Sequence, residues 1–250
     1  MGKVYTITNQ KGGTGKTTTT AALASGLSLK GYKVLCIDMD AQGNLSHSMA
    51  ASRDGATVLG MLTMEITAAD AIQRTKHGDI IASKNTLAGA DAFIIGMKKE
   101  YRLKDALEPI KEKYDFILLD TPPALGILTV NALTASDGVI IPIQADIYSL
   151  QGVDQLAETI QPVKQFCNND LKIEGLLLTR FNHRSVLSRE IVDLSAQMAE
   201  RLGTKLFNAK IREGIAVKEA QILQQNLFEY APKSNPALDY MEFIEEFLNN

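Results

Sequence analysis

Two lysines bracket three glycines in the segment Lys11-Gly12-Gly13-Thr14-Gly15-Lys16-Thr17-Thr18. Glycine has no Cβ, so backbone N–H groups in such a turn can converge on an anion. Lys16 offers an ammonium for the β- and γ-phosphate oxygens, and the Thr17 hydroxyl offers a hard oxygen ligand for Mg²⁺. This combination suits the holding of a nucleoside triphosphate. The general phosphate-loop pattern, G-x-x-x-x-G-K-[ST], wants glycine at its first position. Gln10 stands there instead, and Lys11 follows it.

Carboxylates recur at two further places. Val34-Leu35-Cys36-Ile37-Asp38 is a continuous apolar run that ends in acid, with Asp40 two residues beyond. Tyr114-Asp115-Phe116-Ile117-Leu118-Leu119-Asp120 repeats the pattern. Such runs read as buried parallel strands, and open α/β sheets bind ligands beyond the carboxyl ends of their strands. Mg²⁺ keeps several of its waters, so Asp120 is expected to hold it through a water while Thr17 binds it directly.

The elements that must position these groups follow from the same patterns. Val4 to Thr8 is of strand type, and Thr17 to Lys30 reads as a helix with Leu23 and Leu27 four apart. Strand, glycine turn and helix put the anion at a positive helix N-terminus. Strand-like runs alternate with helix-length segments to the end of the chain, which predicts an α/β fold with a mainly parallel sheet. With 250 residues, 45% hydrophobic content and no long linker or repeat, residues 1–250 are expected to form a single domain. Residues 51–92 are the least regular stretch, where helix and loop signals mix.

Four segments resemble the ParA/MinD family of ATPases, and within it the ParA/Soj partition proteins. They are Thr8-Asn9-Gln10-Lys11-Gly12-Gly13, Ile37-Asp38-Met39-Asp40-Ala41-Gln42-Gly43-Asn44, Leu118-Leu119-Asp120-Thr121-Pro122-Pro123 and Asn131-Ala132-Leu133-Thr134-Ala135-Ser136-Asp137. The first carries the deviant Walker A pattern K-G-G-x-G-K-[ST], which accounts for Gln10. The resemblance implies a P-loop NTPase: a mostly parallel twisted β-sheet flanked by helices on both faces, with ATP and Mg²⁺ as cofactors. It makes Lys11, Lys16 and Asp40 catalytic. Lys11 would contact the nucleotide of a second protomer in an ATP-sandwiched homodimer, as a built-in arginine finger. Asp40 would orient the attacking water and, with Thr17 and Asp120, help hold the metal. Asp38 reads as a structural acid. The loop from Lys11 through Gly12, Gly13, Thr14, Gly15, Lys16, Thr17 and Thr18 would hold the phosphates. Thr179, Arg180 and Arg212 would lie near the base.

Net charge is −3, yet Arg180 to Lys218 holds eight Lys/Arg against four acids. This excess fits the face on which relatives bind DNA non-specifically, where phosphate contacts need charge and little else. Arg184 aligns with a family DNA-binding arginine, Arg189 lies on the same stretch, and Lys218 would substitute for a second arginine whose position here is Ala216. A ParB-like, centromere-bound partner that stimulates hydrolysis is implied. Expectation therefore settles on an ATP-hydrolysing DNA-partition protein, cytoplasmic and nucleoid-associated, with no signal peptide and no N-terminal helix-turn-helix.

Two other classes are weighed. MinD-like membrane ATPases end in a basic amphipathic helix. Here Ala237 to Asn250 carries four acids and no Lys or Arg, so anionic lipid would repel it, and a helix packed on the domain is the better reading. An iron–sulfur reductase needs cysteines between subunits; Cys36, inside an early strand, does not suit that, and Cys36 and Cys167 form no CxxC pair.

Overall fold

The computed structural model describes residues 2–182 and 186–249, without the side chains of residues 147, 148, 186 and 187. The N-terminal half runs β1 (Lys3–Ile7), α1 (Lys16–Leu29), β2 (Val34–Asp38), α2 (Asn44–Ser48), α3 (Val58–Leu62), α4 (Ala68–Ala71), β3 (Ile72–Thr75), β4 (Gly78–Ile81), α5 (Ala90–Phe93) and α6 (Arg102–Leu107). It continues through β5 (Phe116–Asp120), α7 (Ile127–Ala135), β6 (Gly138–Gln144), α8 (Ile147–Phe166), β7 (Lys172–Phe181), α9 (Val186–Arg201) and β8 (Leu206–Arg212), and closes with α10 (Ile215–Ile222), α11 (Leu227–Tyr230) and α12 (Asn235–Leu248).

All eight strands join one sheet in the order β3-β4-β2-β5-β1-β6-β7-β8. Every pairing is parallel except β3 with β4. That short hairpin lies in the stretch the sequence left irregular. Its strands have four residues each, and Gln73, Arg74 and Thr75 break any apolar alternation, so no strand signal rises above the background.

Strand alternation splits the core between two faces. Ile7, Cys36, Leu118, Ile140, Leu177 and Phe207 point to the face covered by α1 and α12. Val4, Ile37, Ile117 and Leu119 meet α3, α6 and α7, while Ile141, Leu176 and Leu178 meet α8 and α9 on that same opposite face. Helices on both sides are what an all-but-parallel sheet requires, because its crossovers carry them there. Cys36 is buried in β2 and Cys167 half-buried, both as free thiols.

Helix α12 is firmly docked. Tyr240, Phe243 and Ile244 are buried, and the Tyr240 hydroxyl is 3.1 Å from the Thr19 hydroxyl of α1. Gly26 of α1 lets α12 approach: a Cβ there would lie 2.2 Å from Ile244 Cδ1. On the other edge, the Glu246 carboxylate accepts from the Asn208 and Ala209 backbone N–H groups of β8. The acidic C-terminal segment is thus a packed element of the core. Among the described residues no helix is long and apolar enough to cross a membrane.

Candidate functional site

β1, β2, β5, β6 and β7 all deliver polar groups at their carboxyl ends. After β1 the chain turns through residues 9–15 and enters α1. Gly13 (φ 77°) and Gly15 (φ 85°) take left-handed backbone that a Cβ would oppose, and Gly15 forms the N-cap of α1. The loop is braced from below. Asn9 Nδ2 donates to the Pro142 carbonyl (2.8 Å), and Asn9 Oδ1 accepts from the Lys11 N–H (3.0 Å). Gln144 Nε2 donates to the Gly13 carbonyl (2.7 Å). The Thr179 hydroxyl donates to the Thr14 carbonyl (2.8 Å), with the Ile143 carbonyl at 3.1 Å. With its carbonyls tied down and its N-terminal turn open, the loop is preorganised for an anion.

Lys16 is buried at the base of a cleft of about 430 Å³ that Gly12, Thr17, Asp40, Asn44, His47 and Pro123 help to line. Its Nζ donates to the Lys11 carbonyl (3.2 Å). Burial lowers its pKa, and the charges of Asp120 and Asp40 pull it back up. Thr17 Oγ1 donates to Asp120 Oδ2 (2.7 Å), while Asp120 Oδ1 is buried without a hydrogen-bond partner. Burial pushes the Asp120 carboxyl well above the usual range, Asp38 adds to the rise, and the Thr17 bond and Lys16 oppose it. An orphaned carboxylate oxygen beside a threonine hydroxyl fits a hard cation that keeps most of its waters. No group of three or more His, Cys, Asp or Glu among the described residues could cage a metal alone, so phosphate and water oxygens would have to complete such a shell.

The two aspartates after β2 divide their labour. Asp38 is fully buried; its Oδ2 accepts from the Ser46 N–H (2.8 Å) and hydroxyl (2.7 Å), and its Oδ1 from the Asp40 N–H (3.1 Å). Burial pushes its carboxyl up to about 6 against those three bonds, and the Asp40 charge adds to the rise. Asp40 stands half-buried in the cleft wall, with Oδ1 accepting from the Gln42 N–H (2.9 Å).

Lys11 points along its own chain. Its Nζ lies 2.6 and 2.7 Å from the two Asp146 oxygens. Asp146 also caps α8 by accepting from the Ser149 N–H (2.9 Å). Burial raises the Asp146 carboxyl, but the bonds from Lys11 and Ser149 bring it below its ordinary value. Gly152 permits this approach of α8, since a Cβ there would stand 3.0 Å from Asn9 Oδ1.

Sequence alignments decide the family. A family profile described as an AAA domain matches residues 2–173. The sporulation initiation inhibitor protein Soj of Bacillus subtilis is 37% identical over all of this chain and all of its own. The chain belongs to the ParA/Soj family of P-loop ATPases. Another relative of this ParA/Soj member, the chromosome partitioning protein ParA of Myxococcus xanthus, is 34% identical over 99% of this chain and 88% of its own. Among solved structures, cobyrinic acid a,c-diamide synthase from Mycobacterium smegmatis with bound ATP analogue and magnesium superposes with a TM-score of 0.87 at 32% identity, covering 100% of this chain and 95% of that one.

Three further predicted residues of this ParA/Soj member lie beside the loop. Thr179 is buried under the loop, where it holds backbone, so its role is support as well as lining. Arg180 and Arg212 do line a second cavity of about 210 Å³ beside Gly13, Gly15 and Thr18, but both are paired. Arg180 (φ 50°) bridges to Glu213 at 2.8 Å, and the Arg212 guanidinium forks onto Asp239 of α12 at 2.5 and 2.9 Å.

Two of the residues expected at a DNA face are exposed on successive helices. Arg189 is exposed on α9, whose Ile191 and Met198 pack with Leu176 and Leu178. Lys218 is exposed on α10, whose Ala216 and Val217 pack against the core on the opposite side of the sheet, and it lines the cavity of about 210 Å³. The chain passes through β8 between the two helices and changes sides of the sheet after it. Arg184 lies outside the described residues. The sequence reading also missed Gln144 and Asp146. Both follow an apolar run, Gly138 to Ile143, at the carboxyl end of a parallel strand, which is the criterion that found Asp38 and Asp120.

Proposed function

We propose that this chain is a Mg²⁺-dependent ATPase of DNA partition, working as an ATP-sandwiched homodimer. The observation that carries the reading is the buried pair Lys16 and Asp120 with the half-buried Thr17 between them, beneath an anion-ready helix N-terminus, with Asp40 in the cleft wall above. The loop N–H groups bind phosphate oxygens and exclude lateral slippage. Lys16 supplies charge where the terminal phosphate lies, and Thr17 and Asp120 are the residues that would hold the cation. Mg²⁺, when bound, neutralises phosphate charge. Asp40 orients a water for attack on the γ-phosphorus, the bond to the ADP oxygen breaks, and ADP and inorganic phosphate leave. Positioning and charge neutralisation are the main contributions.

Lys11 serves the partner protomer's nucleotide after exchanging Asp146 for phosphate, which makes dimerisation depend on ATP. The dimer binds DNA non-specifically, with Arg189 and Arg184 as contributors and Lys218 shared with the base-side cavity. A ParB-like protein stimulates turnover and release, and residues 1–250 act as one ATPase domain at the nucleoid. The docking of α12 supports this over a membrane-associated positioning ATPase, whose C-terminal helix must be available to lipid.

The test is phosphate release from MgATP together with sedimentation in ATP and in ADP. Wild-type protein is expected to turn over slowly and to dimerise in ATP alone, and Lys16→Ala to bind no nucleotide. Turnover by Lys16→Ala equal to wild type would refute the site.

A further inference from the structure

Arg53 lies outside the cleft, in the segment between α2 and α3, yet it reaches the loop that carries Asp40. Its Nη2 donates to the Ala41 carbonyl (2.7 Å) and to Asn85 Oδ1 (2.8 Å), and its Nε donates to the Ser83 carbonyl (3.1 Å). Ser83 and Asn85 follow β4, and Ser83 is anchored to the sheet: its N–H donates to the Ser46 hydroxyl (2.9 Å), which in turn donates to Asp38. The guanidinium is therefore a brace between the β4 end and the Asp40 turn. Gly43 makes room for it. A Cβ on Gly43, which already adopts φ 68°, would lie 2.3 Å from Arg53 Cζ.

The carbonyl that Arg53 grips belongs to the Ala41–Gln42 peptide unit. The N–H of that same unit donates to Asp40 Oδ1 at 2.9 Å. A peptide unit is planar and resists twisting. Fixing its oxygen therefore fixes the direction of its N–H, and with it the carboxylate that the N–H holds. Asp38 anchors the other side of the turn through the Asp40 N–H, and the Gly43 N–H closes it onto the Asp40 carbonyl (2.9 Å). We propose that Arg53 is a positioning residue for hydrolysis, which sets the Asp40 carboxylate through the single peptide unit Ala41–Gln42. This rests on the ATPase reading above.

The hydrogen bonds of Arg53 go to Ala41, Ser83 and Asn85, none of them in the phosphate loop or the cleft lining, so its removal should leave nucleotide affinity intact and lower turnover. A carboxylate released from its hydrogen bond samples orientations that do not face the water, and loss of such positioning costs on the order of ten- to a hundredfold in rate. The experiment measures kcat and KM for MgATP, together with melting temperature, for wild type, Arg53→Ala and Arg53→Lys. Expected are a fall in kcat with unchanged KM for Arg53→Ala, and a smaller fall for Arg53→Lys, whose ammonium can reach one acceptor but lacks the planar fork. Where Arg53→Ala does not fold, Arg53→Lys carries the test through the same split. An unchanged kcat in a folded variant, or a loss carried by KM with kcat intact, overturns the assignment. If wild type itself releases no phosphate, the ATPase reading falls and takes this one with it; a wild type that turns over beside an unaffected variant removes Arg53 alone.

Discussion

Truncating Phe243 to alanine tests whether the C-terminal helix belongs to the core. The side chain is fully buried in α12, edge-on to Phe207 of β8 at 4.9 Å and 89°, and 6.3 Å from Phe247. Phe207 is itself fully buried and continues the sheet core, so little can collapse into the space left. Phe→Ala at such a site costs about 3–5 kcal/mol, part transfer and part cavity, with the lost edge-on pair included. Domains of this size lose about 2–4 °C of melting temperature per kcal/mol, which predicts a drop of roughly 6–20 °C. Urea denaturation followed by circular dichroism gives the free energy, and a calorimetric scan gives the temperature. The control is Leu238→Ala on the same helix, half exposed at 52%, for which a change within about 0.5 kcal/mol is expected. A Phe243→Ala loss below about 1 kcal/mol would refute the docked helix. It would also return the membrane reading to consideration, to be settled by flotation with anionic vesicles.

Further outcomes follow from the site. Asp40→Ala should retain ATP but not hydrolyse it, and sedimentation should find it trapped as a dimer; a monomer in ATP would sink the sandwich. Asp38, raised in the folded state above its unfolded value near 3.8 to about 6, stabilises the nucleotide-free protein below about pH 4, and that contribution is lost as pH rises through 6. Denaturation at pH 5 should accordingly give about 1 kcal/mol more stability from this group than at pH 7.5, a difference that Asp38→Asn abolishes. Arg189→Glu should weaken ATP-dependent DNA binding and flatten its salt dependence, while fluorescent-nucleotide titration stays unchanged; equal DNA binding by the variant removes α9 from the interface.

Much of this site could be read from local sequence because its chemistry is local. Gly13, Gly15, Lys16 and Thr17 lie within one turn, Asp38 and Asp120 each close an apolar strand, and Asp40 follows Asp38 by two residues. What the chain hides is whatever depends on which strands become neighbours. Gln144 reaches Gly13 across 131 residues and Lys11 meets Asp146 across 135, contacts that exist because β6 lies beside β1. The same holds for Arg189 and Lys218, whose helices α9 and α10 pack on opposite sides of the sheet. The β3–β4 hairpin was invisible for a different reason: its residues are half polar, and the edge of the sheet asks little of them.

The central place of β1 has a consequence for biogenesis. β1 pairs only with strands far along the chain, Lys3 with Phe116 and Tyr5 with Gly138, and the Val4 N–H is bonded to Asp137, 133 residues on. Until β5 and β6 leave the ribosome, β1 has neither of its sheet partners and waits as an exposed apolar strand. Such non-local pairing slows folding and invites capture by chaperones or by other chains. The nucleotide pocket therefore cannot assemble co-translationally at the N-terminus where its signature is written, and fragments ending before β6 should be unable to hold ATP however intact that signature is.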